Sequence, residues 1–337
     1  MTRRHYRIGY RLLILHIGTH KTGTTALQRA MHRGARDLQS HGIRYIEAGR
    51  GDSFAHHKLA WALRGERRVP LSIWEDVRQE LDASVETVNI ISSEALWFAD
   101  PANVKIELGE REDVRIVMYL RRQDRYLQSL YKQAVTSGRK GDFETWLGEM
   151  GFRGDYLSVV RKWAEQFGRD AIFVRPYERS GKTVDTVLDF FQILGFDHQT
   201  VLPNRKHGAR NPSPRREVLH FLRAFNHLGL KVDHDKLFFG IIKRQKAYIR
   251  SADLLNESQC AELMERYAQG NAVIEAEFFR GDDGPLFPAP VSKPPPEMWG
   301  LDDQEFFKLT VDVLDTIVNL LEGQEIVRKK RDIAGPP

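Results

Sequence analysis

Cysteine and long apolar segments are scarce in this sequence. Its 337 residues include one cysteine, Cys260, so no disulfide can form within the chain, which is typical of a reducing compartment and predicts a cytoplasmic protein. No apolar run reaches the ~18 residues that a membrane-spanning helix needs, so no membrane span is expected. No metal is expected either, because the histidines beyond residue 197 lack the spacing of a metal site. These histidines are His198, His207, His220, His227 and His234.

A small excess of positive charge is present. The chain has 51 Lys and Arg residues against 46 Asp and Glu residues, which gives a formal net charge of +5. Such an excess favours an anionic ligand, but it does not by itself predict a nucleic-acid partner. With 41% hydrophobic residues, the chain can bury a full core.

A glycine- and threonine-rich turn follows the first apolar run. Residues 12–17 read as a strand, and a helical stretch begins near Thr24. A strand, a glycine turn and a helix together form an anion cradle, in which backbone N–H groups and the helix dipole face a phosphate. From Gly18 the turn reads G-x-x-x-x-G-T-T, but Thr24 stands where a Walker loop has its lysine, and Lys21 comes three residues earlier. The pattern therefore predicts a phosphate loop, but not an ordinary ATP or GTP loop.

Strands and helices alternate through the first half of the chain. The β-rich runs cover residues 12–17, 43–46, 87–92, 114–120 and 171–174. Helical spacing covers residues 24–41, 56–63, 73–84, 125–136 and 156–167. This alternation predicts an α/β fold, a P-loop-type open parallel sheet flanked by helices, with ligands at the carboxyl ends of the strands.

From Pro212 onward the pattern is helical, over residues 215–228, 258–272 and 304–321. We expect one domain over residues 1–290, with a nucleotide-binding core at about 10–200 and a helical part at about 212–290. A C-terminal linker and helix would occupy residues 291–337. The helix over residues 304–321 is expected to dock on the core, with a homodimer contact as the alternative.

A second anion-binding pattern follows the apolar run 114–120. The run ends at Arg121, and Ser129 follows eight residues later. If a helix begins near Asp124, Arg125 and Ser129 lie on one face of it, four residues apart. A guanidinium and a hydroxyl can together clamp a phosphate. The alternative is a solvated helix start with charge pairs four residues apart.

These two motifs together resemble the sulfotransferase family that uses 3′-phosphoadenosine 5′-phosphosulfate (PAPS). The resemblance rests on HKTGTTALQ and on the strand that ends in Arg121 with Ser129 eight residues later. IFVRPYE with VLDFFQILGF, and the basic run NRKHGARNPSPR around Arg205, add to it. It covers residues 12–290 approximately and favours the carbohydrate-type and bacterial members.

The resemblance implies roles for individual residues. The 5′-phosphosulfate would be held by Lys21, Thr22, Gly23, Thr24 and Thr25. The 3′-phosphate would be held by Arg121 and Ser129, and the loop around Arg205 would close over the nucleotide. PAPS has no γ-phosphate, so a lysine within the turn can instead stabilise charge on the oxygen between phosphorus and sulfur.

The general base is the least determined part of the pattern. Glu94 follows the run 87–92, at a place where members of the family carry a catalytic histidine or carboxylate. His56 and His57 begin a helical stretch and could act near neutral pH without a shifted pKa. Glu47 is a third candidate. The alternative roles are a helix cap for Glu94 and surface positions for the two histidines.

The expected activity is transfer of a sulfuryl group from PAPS to a hydroxyl, or alternatively an amine, of a carbohydrate or other small acceptor. No metal, nucleic acid or membrane span is part of this expectation. One alternative is an ATP-dependent P-loop kinase, which would need the missing Walker lysine. The other is a nucleotide- or glycan-binding protein without activity.

Overall fold

A computed structural model describes residues 11–51, 53–111, 113–179, 182–203, 216–228, 254–279, 285–287, 308, 310, 311 and 313–319. The predicted α/β fold is confirmed: a parallel sheet of five strands is flanked by helices. The strands are β1 (Leu12–His16), β2 (Ile43–Tyr45), β3 (Val88–Ser92), β4 (Val114–Leu120) and β5 (Ile172–Pro176). Their order across the sheet is β2-β3-β1-β4-β5.

Both faces of the sheet are covered, which explains why its strands read as continuous apolar runs. Every residue of β1 is buried. Leu12 and Ile14 belong to one core cluster, together with residues of neighbouring strands and helices. Because successive side chains of a strand point to opposite faces, Leu13 and Leu15 cover the other face.

Helices connect the strands. They are α1 (Thr24–Arg33), α2 (Ala35–Ser40), α3 (His57–Leu63), α4 (Ile73–Ala83), α5 (Pro101–Leu108), α6 (Gln123–Thr136), α7 (Phe143–Met150), α8 (Tyr156–Phe167), α9 (Thr186–Ile193), α10 (His198–Val201), α11 (Arg216–Leu228), α12 (Glu257–Glu265) and α13 (Ala268–Glu277). Short 3₁₀ turns cover Glu94–Phe98, Gly151–Gly154 and Arg169–Ala171. A two-stranded antiparallel hairpin, β6 (Glu178–Arg179) and β7 (Lys182–Thr183), precedes α9.

Two predicted helices are each divided in two. The helix expected over residues 24–41 breaks at Gly34, where a Cβ atom would clash with Leu202 Cδ2. The helix expected over residues 258–272 is replaced by α12 and α13. The helical pattern was therefore correct in both places, but the continuity was wrong.

The chain divides into two compact units. The first, which contains the sheet, comprises residues 1–123, 154–208 and 264–291. The second comprises residues 124–153, 209–263 and 292–337. Within the second unit, Asn226 of α11 donates hydrogen bonds to the carbonyl oxygens of Val135 and Arg139, 2.9 and 2.8 Å away. The predicted domain boundaries stay a prediction.

Few residues of the predicted C-terminal helix are described. Residues 308, 310, 311 and 313–319 are helical, and the rest of 304–321 lies outside the described residues. In the part of the chain that the structure describes, no helix has the length and apolar character needed to cross a membrane.

Candidate functional site

The candidate site lies at the carboxyl ends of three adjacent strands. β1 pairs with β3 on one side and with β4 on the other. The chain passes from β3 to β4 across β1, which makes this the topological switch point of the sheet, where open α/β sheets bind ligands. The segments that follow the three strands are the loop of residues 17–23, Ser93 with Glu94, and Arg121.

The loop after β1 is held by hydrogen bonds at several points. Thr19 donates to the carbonyl oxygen of Tyr119 from both its backbone N–H, at 3.2 Å, and its hydroxyl, at 3.1 Å. The Thr22 hydroxyl donates to the Thr19 carbonyl oxygen at 2.6 Å. From α9, the Thr186 hydroxyl donates to the Thr22 carbonyl oxygen at 3.1 Å. The loop is therefore anchored to β4, to itself and to α9.

Glycine is required at the end of this loop. Gly23 has φ 78°, in the left-handed region that L side chains rarely adopt. A Cβ atom at this position would also lie 2.5 Å from the Thr186 hydroxyl oxygen. The glycine of the G-x-x-x-x-G frame therefore permits both the turn and the close approach of α9.

The end of the loop and the first residues of α1 carry backbone N–H groups that have no hydrogen-bond acceptor within the described residues. Within the described residues, none of the N–H groups of residues 21–25 donates to a protein acceptor. The first N–H groups of a helix have no partner inside it, and the helix dipole makes this end favourable for an anion. The Thr24 side chain is buried and the Thr25 side chain is exposed.

Lys21 lies within this loop, and its pKa is influenced by two charged residues that follow neighbouring strands, Arg121 and Glu94. Its backbone has φ 67°, which is uncommon for a residue other than glycine. Partial burial lowers the pKa of its ammonium group, the positive charge of Arg121 lowers the pKa further, and the negative charge of Glu94 opposes both. The three predicted residues are therefore electrostatically coupled at the same end of the sheet.

Arg121 follows β4 directly and is held in place by neighbouring residues. Its Nε donates to Glu178 at 3.1 Å, and its guanidinium carbon lies 5.5 Å from the ring centre of Tyr177. Tyr156 donates to its carbonyl oxygen at 2.8 Å. Ser129 is half-buried on α6, in the second unit. The pairing of Arg121 with Ser129 as a phosphate clamp stays a prediction.

Glu94 is the centre of a polar cluster. Its side chain is largely buried, and its Oε2 accepts a hydrogen bond from Gln28 Nε2 at 2.8 Å. Its Oε1 lies 3.8 Å from His57 Nε2 and 3.9 Å from His20 Nδ1. One carboxylate therefore has one oxygen anchored by an amide and the other facing two imidazoles.

The cluster keeps the Glu94 carboxylate ionised. Burial is the largest influence and raises its pKa, but His57, the Gln28 amide, a backbone N–H and His20 together outweigh the burial. The net result is a pKa below the ordinary value of a glutamate. Glu94 is consequently a carboxylate at neutral pH, which is the form that can accept a proton.

The two adjacent histidines have different environments. His56 is fully buried: its Nδ1 accepts from the Ser92 N–H at 3.1 Å, and its Nε2 lies 2.8 Å from the Ile46 carbonyl oxygen. Burial lowers its pKa to about 4. Because both ring nitrogens of His56 bind backbone, the structure argues against the predicted role of this residue as a base. His57 is half-buried, and its Nδ1 lies 2.9 Å from the Ser93 hydroxyl.

His20 was not among the residues predicted from the sequence. It precedes Lys21 in the loop, and its ring stacks on Phe98 with the ring centres 6.0 Å apart. The only sequence signal for it was its position inside the phosphate-loop motif. Glu47, the third base candidate, is exposed, and its N–H donates to Glu80. Arg205 lies outside the described residues.

No cluster of three metal-ligating side chains occurs among the residues with described positions.

The arrangement offers an anion cradle, a lysine within it, an arginine beyond it and a carboxylate beside it.

Comparisons with known proteins give limited matches. No family model matches the chain. An uncharacterized protein of Archaeoglobus fulgidus is 35% identical over 111 residues, which are 33% of this chain and 28% of that protein. The match thus spans little more than a quarter of that relative.

Two solved structures show some likeness to this chain. The sulfotransferase from Alicyclobacillus acidocaldarius has a TM-score of 0.36 and 18% identity, over 64% of this chain and 92% of its own. The sulfotransferase domain from the Synechococcus PCC 7002 olefin synthase has a TM-score of 0.33 and 15% identity, over 77% of this chain and 94% of its own. Because both TM-scores are below 0.5, these likenesses are no evidence of function.

Proposed function

We propose that this chain is a sulfotransferase that moves a sulfuryl group from PAPS to a hydroxyl of a carbohydrate or other small acceptor. The observation that carries the proposal is the position of Lys21 inside the phosphate loop. It is coupled to Arg121 on one side and to Glu94 on the other. Thr24 occupies the place of the Walker lysine, which a kinase would need for its β- and γ-phosphates.

The chemistry of the donor set fits PAPS. Its 5′-phosphosulfate is anionic, and the cradle offers hydrogen-bond donors: the Thr25 hydroxyl and the N–H groups of residues 21–25, which have no acceptor in the described part of the chain. Arg121 would bind the 3′-phosphate, with Ser129 and Arg205 as further contacts that the family resemblance implies. Glu178 holds the Arg121 guanidinium on one side, which favours a defined orientation.

In the proposed reaction one residue takes up the proton of the acceptor, and another stabilises the negative charge on the leaving group. Glu94 accepts the proton of the acceptor hydroxyl while the acceptor oxygen forms a bond to sulfur. The bond between sulfur and the 5′-phosphate oxygen breaks, and adenosine 3′,5′-bisphosphate leaves with the electron pair. Lys21 donates to that leaving oxygen, where negative charge develops, and a donor of this kind is worth on the order of 2.7–4 kcal/mol.

The test is calorimetric titration of the purified protein with adenosine 3′,5′-bisphosphate, ADP and ATP, each with and without Mg²⁺. Sulfotransferase chemistry predicts micromolar binding of the bisphosphate that does not depend on the metal. Tighter binding of ATP with Mg²⁺ would favour the kinase alternative, and absence of binding by all three nucleotides would overturn the proposal. If the bisphosphate binds, a screen of glycan and small alcohol acceptors with PAPS distinguishes an enzyme from an inactive binding protein.

A further inference from the structure

A buried glutamine lies between the nucleotide loop and the proposed base. Gln28 is in the second turn of α1, the helix that begins directly after the phosphate loop, and its side chain is 3% exposed. Resting on the proposed function, we infer that Gln28 is a positioning residue, which fixes the Glu94 carboxylate relative to the bound nucleotide. Gln28 acts through Glu94 and has no role in contact with the reacting atoms.

The geometry assigns this role to the glutamine amide. Gln28 Nε2 donates to Glu94 Oε2 at 2.8 Å, and the same nitrogen lies 3.3 Å from the Ser92 hydroxyl. The other carboxylate oxygen, Oε1, is 3.8 and 3.9 Å from the two imidazoles, beyond hydrogen-bond distance. The amide therefore makes the close side-chain contact that holds one oxygen and leaves the other toward the site.

The anchor extends into the sheet. The Ser92 hydroxyl lies 2.8 Å from His16 Nδ1, and all three of Gln28, Ser92 and His16 are buried. A connected buried network of this kind has few alternative arrangements, because each lost partner leaves an unsatisfied polar group. The side chains of α1, β3 and β1 are thereby joined at the point where the strands end.

The placement of Gln28 on α1 links the base to the nucleotide. The N-terminus of α1 provides donors for the 5′-phosphate, and one turn later the same helix holds Glu94. A helix is rigid over this distance, so the spacing between phosphate and base is set by the helix. The charge of Glu94 is also felt at the loop, since it influences Lys21.

The inference can be tested without knowing the acceptor. The affinity for adenosine 3′,5′-bisphosphate is measured by calorimetry from pH 7.5 to pH 5 in the wild type and in Gln28→Met, which keeps the side-chain length but removes the donor. Burial raises the pKa of Glu94 and the Gln28 amide lowers it, so loss of the amide should raise this pKa and Glu94 should become protonated at a higher pH. As the pH is lowered, repulsion between the Glu94 carboxylate and the phosphates is then lost at a higher pH in the variant. Between pH 7.5 and pH 5 the affinity of the variant should therefore rise by about three- to tenfold more than that of the wild type.

Other groups around Glu94 also titrate and must be separated from it. His20 of the loop and His57 of α3 face the Glu94 carboxylate directly. The charge of Glu94 also influences the pKa values of His16, Lys21 and Tyr45. The double variant Gln28→Met with Glu94→Gln removes the carboxylate and leaves these groups in place. It should show the same pH dependence as Glu94→Gln alone.

Asn89→Leu is the matched control. It also removes a buried amide, at the amino end of β3, where Asn89 accepts from Ser84 and does not contact Glu94. It should leave the pH dependence of binding unchanged. If Gln28→Met does not fold, Gln28→Glu is the second variant, in which two carboxylates share one proton and the shift should be larger. Bisphosphate binding with an unshifted pH dependence would overturn the role of Gln28 alone, whereas absence of binding in the wild type would overturn the proposed function as well.

Discussion

Lys21 combines an uncommon backbone conformation with an uncommon electrostatic environment. A residue other than glycine at φ 67° carries a conformational cost of order 1 kcal/mol or more. Burial and the positive charge of Arg121 also lower the pKa of Lys21, which means that both disfavour its charged form when no ligand is bound. Both costs are compatible with an ammonium group whose favourable partner is an anionic ligand in the loop.

We expect Lys21→Ala to reduce kcat by about 10²- to 10³-fold, because it removes a donor from the leaving oxygen. The affinity for adenosine 3′,5′-bisphosphate should fall by less than about tenfold, since the N–H groups of the cradle remain. The measurements are sulfuryl transfer from radiolabelled PAPS to an acceptor found by screening, and calorimetry. Arg68→Ala is the control, because Arg68 is a cation that also has a left-handed φ, 53°, but lies exposed outside the loop. An affinity loss without a kcat loss would remove Lys21 from the leaving-group role.

Arg121→Ala is expected to impair recognition of the 3′-phosphate. Loss of a charge-assisted contact should weaken adenosine 3′,5′-bisphosphate by about 10- to 100-fold and AMP by much less. Calorimetry with the two nucleotides measures the difference. Arg115→Ala, at the other end of β4, should affect neither nucleotide. Equal losses for both nucleotides with Arg121→Ala would exclude this residue from the clamp.

Sequence periodicity could not distinguish His56 from His57. Both precede an apolar helical stretch, and both were base candidates. In the structure, His56 bridges the Ser92 and Ile46 backbones, whereas His57 faces Glu94. The backbone groups that His56 binds lie 10 and 36 residues away, so no local pattern could indicate them. His20 was overlooked for the same reason, because Glu94 is 74 positions further along the chain.

The alternation of strands and helices along the sequence was sufficient to predict the sheet. The predicted run 114–120 matches β4, and the stretch 156–167 matches α8. The break in the predicted helix at Gly34 was not recognised, and the residue that limits the space at this glycine, Leu202, is distant in the sequence. Local patterns thus located the elements, but not every point at which an element ends.

The contact of α9 with the phosphate loop leaves no room for a side chain at Gly23, because a Cβ atom there would meet Thr186. We expect Gly23→Ala to weaken bisphosphate binding by at least tenfold and to lower the free energy of unfolding by about 1–3 kcal/mol, because the methyl group meets Thr186 and the backbone is left-handed. The checks are calorimetry and urea denaturation.

Gly109→Ala provides the control for the strain alone. Gly109 also has a left-handed φ, 71°, but a Cβ atom there has nothing within 4 Å. It should lose stability from the backbone strain and keep its nucleotide affinity. A similar loss of affinity in both variants would mean that the approach of α9 to Gly23 has no part in shaping the loop.

Two buried histidines make folding sensitive to acid. Burial lowers the pKa of His16 and of His56 to about 4, from 6.5 in an exposed histidine. Between these values the unfolded chain binds protons that the folded chain does not. The free energy of unfolding therefore rises with pH in this window and falls as the pH is lowered from 6.5 toward 4.

This linkage predicts a loss of about 2 kcal/mol for each of the two histidines between pH 7 and pH 5, or about 4 kcal/mol together. Urea denaturation at pH 7 and pH 5 measures it. Glu80 and Glu86 have lowered pKa values, so their stabilising contributions are lost mainly below about pH 4.5 and lie outside this window. His16→Asn should remove about half of the pH dependence, and the exposed His41→Gln should leave it intact. An equal pH dependence in wild type and His16→Asn would mean that His16 does not stay neutral in the folded protein.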